Sequence, residues 1–200
     1  MQILSTLAFV FITITSMVNL ILREWRINAV ALALQYLAAF ILVTLSWPVG
    51  MAVIKLIVGW MASAAIALTS LHQSQKDPTT DSVASLLFRG LAGLLVIMII
   101  FILAPRLQES IFPNLDLVIV QGGLMLMGMS LMQLGTRADP YLNIISLLSL
   151  LTGFEIIHAA LESSTLLTGM LAVVNLGLAL AGVYFISQSS AAEGSEEKAP

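Results

Sequence analysis

Apolar stretches of about 20 residues follow one another along the chain, separated by short polar links. A helix of about 20 residues spans the hydrocarbon core of a bilayer. Every backbone amide must be bonded there within the chain, which leaves only helices or a closed barrel, and barrel strands alternate polar and apolar positions in a way that these stretches do not. The pattern predicts an all-α, polytopic integral membrane bundle of about seven transmembrane helices, near residues 3–22, 27–46, 49–71, 86–104, 115–134, 141–161 and 166–187.

The predicted links are short and polar, so sequential helices are expected to be antiparallel neighbours. The longest runs from His72 to Ser85, and another begins at Pro105 and ends at Asn114. We predict a transmembrane bundle over residues 1–187. The small, polar and acidic residues 188–200 are predicted to form a disordered tail.

Basic residues favour cytoplasmic loops and so predict the orientation of the helices. With seven spans, one side of the membrane receives Arg23, Arg26, Lys76, Arg89, Arg137 and Lys198, whereas the other receives Arg106 and the nearby Lys55. The first side is predicted to be cytoplasmic, with the N-terminus outside and the C-terminus inside.

Composition agrees with a membrane solvent and excludes several functions. Hydrophobic residues make up 59% of the chain and charged residues 10%, against about 25% charged residues in soluble domains. With no cysteine and no cluster of basic residues, the chain offers neither a thiolate site nor a nucleic-acid surface. Phosphate-binding loops, paired metal-ligand histidines and nucleophile elbows are also missing. We predict no cofactor, no metal and no autonomous catalysis, and leave open a non-catalytic place in a membrane oxidoreductase complex.

Charged residues inside a span need a partner, a cavity or a function, because burying a charge at the bilayer centre costs about 2.5–3.5 kcal/mol. Glu155 lies within the sixth span, and His158 and Glu162 follow it on the same helix face. Lys55 lies in the third span, at a depth below the outer surface comparable to that of Glu155. These two residues are therefore candidates for an ion pair.

Each of these side chains has a structural and a functional interpretation. Lys55 and Glu155 either pair or snorkel for structural reasons, or they take part in proton movement together with His158, the side chain best suited to exchange protons at neutral pH. Glu162 is expected at the solvated interface. The uncharged polar residues either bond helices together or line a water track; they are Asn19, Gln35, Gln121, Gln133, Asn143 and Asn175.

Small residues at fourfold spacing let helix backbones approach closely. The third helix has Gly59, Ser63 and Ala67 at this spacing, and the seventh has Gly177 and Ala181. They predict tight packing, either within the chain or against another subunit.

The segment Leu117 to Phe185 resembles the three-helix K subunit (chain 4L) of respiratory complex I and the E subunit of hydrogenase-4. The resemblance lies in LMGMSLMQLGTRADPYLNIISLLSLLTGFEIIHAAL, where a glycine-containing helix leads through a short loop with an arginine to a Gly-x-Glu motif ending at Glu155. It implies a three-helix unit over residues 115–187 and a place for Glu155 in a proton pathway. A second acidic residue is usual on the next helix of that family, where this chain has Asn175 or Val173.

The leading hypothesis is a membrane subunit of a complex I-like, hydrogenase-4-like or Mrp antiporter-like assembly, in which Glu155 contributes to proton or cation translocation. Its expected partners are the lipid bilayer and other membrane subunits, in a bacterial or archaeal cell membrane. One alternative is a structural, non-conducting scaffold subunit, and a second is a small-solute transporter or channel.

Overall fold

A computed structural model of the chain describes residues 2–71, 82–136, 139–162 and 164–196. Within them lie seven α-helices, each long and apolar enough to cross a membrane. Their bounds are α1 Gln2–Ile21, α2 Trp25–Val43, α3 Val49–Leu71, α4 Val83–Ser110, α5 Leu117–Thr136, α6 Pro140–Leu161 and α7 Thr165–Glu196. The prediction of an all-α membrane bundle is confirmed.

Two helices are longer than the sequence predicts. The helix α4 continues through Pro105 and ends at Ser110, although Pro105 was expected to begin a loop. Proline removes one helical hydrogen bond, but so close to the helix end the loss does not stop propagation. The helix α7 runs to Glu196, past residue 188 where the tail was predicted to begin. Ala191, Ala192 and Glu193 are good helix formers, and extending an existing helix is easier than starting one. Residues 197–200 lie outside the described part.

The bundle is built from two four-helix rings that share α2 and α6. In the first ring α1, α2, α6 and α5 each contact the next helix around the circle, and in the second ring α2, α3, α7 and α6 do the same. The remaining helix, α4, packs on the outside of the first ring against α1 and α5. Since α2 and α6 belong to both rings, they are the most buried helices of the bundle.

Glycines let neighbouring helices of the bundle pack closely. A Cβ atom added to Gly153 of α6 would lie 2.6 Å from the carbonyl oxygen of Gly123 on α5. A Cβ atom on Gly59 of α3 would lie 2.1 Å from Cδ1 of Tyr36 on α2. Both positions therefore require glycine. Gly177, by contrast, has open space around it, and Ala181 is exposed, so these two small residues of α7 do not serve packing within the chain.

One end of the bundle carries Arg23, Arg26 and Arg89, and we call it the basic end. Here the guanidinium of Arg89 donates to the carbonyl of Ile21 at 3.1 Å, which ties the start of α4 to the end of α1. The hydroxyl of Tyr141 donates to the carbonyl of Trp25 at 2.8 Å, which ties the start of α6 to the start of α2. These bonds fix the helix ends at one level. Lys76, Arg137 and Lys198, which were assigned to the same side, lie outside the described residues.

Candidate functional site

Lys55 and Glu155 form an ion pair inside the second ring. The Nζ atom of Lys55 lies 3.3 Å from Oε2 of Glu155, and the two side chains are 9% and 7% exposed. Each residue lies six positions from the end of its helix opposite the basic end, or about 9 Å along the axis. The helices α3 and α6 lie opposite each other in this ring, and because the two residues are at equal depth, their side chains meet inside it.

The lysine also packs over an aromatic ring. Its ammonium lies 5.4 Å from the ring centroid of Trp47, in the link between α2 and α3. Trp47 is itself buried. A cation over an indole face gains electrostatic stabilisation that increases when both are away from water. Trp47 therefore covers the ion pair on the side of the bundle opposite the basic end.

A small cavity adjoins the ion pair. Its volume is about 10 Å³, and Lys55, Glu155, Tyr36 and Thr152 provide the polar atoms of its wall. This is close to the smallest space that holds a water molecule, about 10–15 Å³. Lys55 Nζ makes no hydrogen bond of good geometry to any side chain or backbone group that the structure describes. The ammonium thus keeps N–H donors that a water in this cavity would satisfy.

Tyr36 and Asn175 complete the polar part of the second ring. The hydroxyl of Tyr36 donates to Oδ1 of Asn175 at 2.8 Å, linking α2 to α7. Both side chains are buried, at 3% and 1% exposure. Asn175 therefore acts as a neutral hydrogen-bond acceptor between helices.

The other candidate residues lie around this centre rather than in it. His158 is half-buried beside Phe154, with ring centroids 5.8 Å apart, and its Nδ1 atom is buried without a hydrogen-bond partner among the described residues. Glu162 is exposed and caps the C-terminal end of α6. Gln121 is half-buried on α5. Asn143 is half-buried near the start of α6, about 18 Å along the helix axis from Glu155.

Two partners of the site were not anticipated from the sequence. Tyr36 and Trp47 are aromatic residues in apolar surroundings, where core packing is the ordinary expectation. Their role depends on how α2 and α3 are rotated about their axes, and helix rotation follows from contacts between distant segments. Sequence periodicity alone does not supply it.

A regular series of polar residues along α6 was also missed, although the sequence contains it. Every third residue from position 143 to position 158 is polar. Each step of three residues turns 60° short of a full circle and rises about 4.5 Å, so the series winds slowly around α6. Ser149 faces α2, since its hydroxyl donates to Gln35 Oε1 at 2.7 Å, whereas Glu155 faces Lys55 on α3. We call this series the polar row; it consists of Asn143, Ser146, Ser149, Thr152, Glu155 and His158.

The chemistry available at this centre is proton exchange and charge compensation. A carboxyl and an amino group are each able to gain or lose a proton, and at 3.3 Å Glu155 and Lys55 each stabilise the charged form of the other. In residues 2–71, 82–136, 139–162 and 164–196, no group of three or more histidine, aspartate or glutamate side chains is placed to hold a metal ion.

The chain was compared with protein-family models, with curated proteins and with solved structures. None of them matches. A functional assignment therefore depends on the buried ion pair, its surroundings and the resemblance of residues 117–185.

Proposed function

We propose that the chain is a membrane subunit of a proton- or cation-translocating assembly, in which the pair of Glu155 and Lys55 participates in charge movement. One observation carries the proposal: the two opposite charges lie 3.3 Å apart inside the protein, shielded from lipid, beside a cavity the size of a water molecule. A buried ion pair is a costly way to join helices, because well-packed apolar residues often stabilise a protein as well or better. Its presence favours a function in which protonation matters.

The kind of assembly is suggested by α5, α6 and most of α7. These helices contain the segment that resembles the K subunit of complex I and the E subunit of hydrogenase-4, with Glu155 at the motif glutamate. We therefore propose a complex I-like, hydrogenase-4-like or Mrp antiporter-like assembly. The exposed Gly177 and Ala181 support contacts with another subunit, because small residues allow a neighbouring helix to pack closely.

Replacing Glu155 with glutamine tests the proposal. Glutamine keeps the shape of the side chain but holds no exchangeable charge, so proton translocation by the assembly should fall about tenfold or more. Translocation is measured in membrane vesicles with a pH-sensitive fluorescent dye, and assembly by co-purification of the partner subunits. The matched control is Glu162→Gln, which removes an exposed carboxylate from the same helix and should leave translocation unchanged. Full activity of the Glu155→Gln variant would refute the proposal.

A structural scaffold subunit is the second candidate, and the bond between Tyr36 and Asn175 favours it. In this chain a neutral amide, Asn175, joins α2 to α7, and neither Asn175 nor Val173 supplies the second acidic residue that the resembled family usually has. The double variant Lys55→Met/Glu155→Leu separates the two functions. A scaffold would assemble and support full activity without the ion pair, whereas a proton pathway would assemble and lose translocation.

The geometry favours protons or small cations over a larger solute. The cavity of about 10 Å³ beside the ion pair has room for a water molecule at most. A solute transporter is therefore the least favoured of the three candidate functions.

We also propose a bacterial or archaeal cell membrane, with the basic end at the cytoplasm and the N-terminus outside. Of the described basic residues, Arg23, Arg26 and Arg89 lie at that end. Since the chain has no cysteine, single cysteines report orientation without background. In intact cells, a membrane-impermeant maleimide should label Ser110→Cys at the opposite end and not Ser82→Cys at the basic end; the reverse result would invert the topology. Both positions are exposed.

A further inference from the structure

Four amide side chains lie at one level in the first ring, near the basic end. Each of the ring's four helices contributes one: Asn19 lies two residues before the end of α1, and Asn28 three residues after the start of α2. Gln133 lies three residues before the end of α5, and Asn143 three residues after the start of α6. We call these four residues the amide layer. The bond between Tyr141 and Trp25 holds α2 and α6 in this register.

Every member of the amide layer has a buried polar atom without a hydrogen-bond partner. The unpartnered atoms are Asn19 Oδ1 and Nδ2, Asn28 Oδ1, Gln133 Nε2 and Asn143 Oδ1, with partners sought throughout the described structure. Asn19, Asn28 and Gln133 are 1%, 0% and 3% exposed. Buried polar groups are nearly always hydrogen-bonded to protein or to ordered water. Four such groups at one level of the first ring therefore have atoms available to a polar ligand.

The chemistry of these atoms selects that ligand. Three of the unpartnered atoms are carbonyl oxygens, which accept, and two are amide nitrogens, which donate. A cation would bind the oxygens and leave the N–H groups unpaired, and an anion would do the opposite. Water donates and accepts, so it satisfies both kinds of group where a cation or an anion would not.

We propose that the amide layer binds a cluster of water molecules, and that this cluster is the entrance of a hydrated route from the basic end to Glu155. The polar row continues the route along α6. Beyond Asn143, Ser146 and Ser149 follow at steps of about 4.5 Å, and each hydroxyl oxygen keeps acceptor capacity after donating its own hydrogen. Thr152 and the cavity beside Glu155 come next.

Side chains of α1 and α2 support the middle of the route. Ser149 donates to Gln35 Oε1 at 2.7 Å, and Gln35 Nε2 donates to Ser16 Oγ at 3.1 Å. This hydrogen-bonded series crosses the first ring between the amide layer and the ion pair. As a pathway for protons the inference rests on the proposed function, whereas the hydration of the amide layer is independent of it.

Reaction of single cysteines with Ag⁺ tests the route, because a thiol reacts as thiolate and needs water to ionise. The variants are Ser146→Cys, in the polar row, and Ile145→Cys, its neighbour; both native side chains are 0% exposed, and Ile145 belongs to an apolar core cluster. Vesicles containing the full chain are treated with Ag⁺, then denatured and alkylated, and protection of the cysteine is measured by mass spectrometry. The route predicts protection of Ser146→Cys at least about tenfold faster than that of Ile145→Cys. Equal rates would overturn it.

A second substitution tests whether the amide layer is the entrance. Adding Asn19→Leu to the Ser146→Cys chain should slow protection about tenfold, because an apolar side chain replaces a group that holds water. The matched control is Asn175→Leu, which removes an amide that has a protein partner in the other ring and should leave the rate unchanged. If Asn19→Leu has no effect, the amide layer is not the entrance.

Failure of the hydrated route and failure of the proposed function give different experimental results. Fast protection of Ser146→Cys together with normal translocation in the Glu155→Gln variant would show a hydrated route that carries no protons to Glu155. Slow protection together with lost translocation would show a functional carboxylate reached from elsewhere.

Discussion

The two four-helix rings share α2 and α6, yet they treat their buried polar groups differently. In the second ring the strong groups have protein partners: Lys55 faces Glu155, and Tyr36 is bonded to Asn175. In the first ring the amides near the basic end have polar atoms that no described protein group satisfies. Charges are too costly to leave uncompensated in hydrocarbon, whereas neutral amides tolerate replaceable partners such as water. The second ring therefore compensates its charges within the protein, whereas the first ring has amide atoms that the proposed water cluster would satisfy.

Breaking the ion pair from one side should have the largest effect on stability. Lys55→Met leaves Glu155 without its counter-charge, and removing one partner of a buried pair costs about 3–5 kcal/mol. The free energy of unfolding is measured by SDS titration with far-ultraviolet circular dichroism. The double variant Lys55→Met/Glu155→Leu should recover most of the loss, because no isolated charge remains. A wild-type stability for Lys55→Met alone would mean that the charges do not depend on each other.

A methyl group at Gly59 should have the next largest effect, because it tests how closely the second ring is packed. Its Cβ atom would lie 2.1 Å from the ring of Tyr36, so the tyrosine must move and its bond to Asn175 must weaken. We expect Gly59→Ala to cost about 1–3 kcal/mol in the same unfolding measurement. Gly177→Ala is the control, since nothing lies near its Cβ position, and equal effects of both substitutions would contradict the packing.

The smallest effect is expected in the first ring. Asn19→Leu removes an amide that has no protein partner, and we expect the unfolding free energy to change by less than about 1 kcal/mol, the average for hydrogen-bonding groups in membrane helices being about 0.6. A loss as large as that of Lys55→Met would show that the amide layer is as fixed as the ion pair, which would remove the contrast between the rings.

The sequence predicts the helices better than it predicts their faces. Each span is encoded by a local run of about 20 apolar residues, so all seven helices were predicted. Most bounds agree to within three residues, and the largest differences are at the end of α4, past Pro105, and at the end of α7. The approach of Lys55 to Glu155 was also within reach, because depth follows from counting residues along a helix. The bond from Tyr36 to Asn175 could not be predicted, because it depends on the rotation of two helices far apart in sequence.

The polar row was only partly predictable from the sequence. Its threefold spacing is visible in residues 143–158, but serines and threonines in membrane helices commonly bond their own backbone, as Ser146 and Thr152 do. Only the neighbouring helices show that Ser149 and Glu155 face protein polar groups. Spacing therefore locates the residues, and packing decides which of them interact.

The contact between Gly123 and Gly153 limits how the bundle can move. A Cβ atom on Gly153 would meet the carbonyl oxygen of Gly123, so α5 and α6 are already in backbone contact and cannot move closer together. The backbone of Glu155, two residues beyond Gly153, is thus held in place by the packing of α6 against α5. A rearrangement that separates the two charges therefore involves the two side chains or α3, and α3 lies in the ring that does not contain α5.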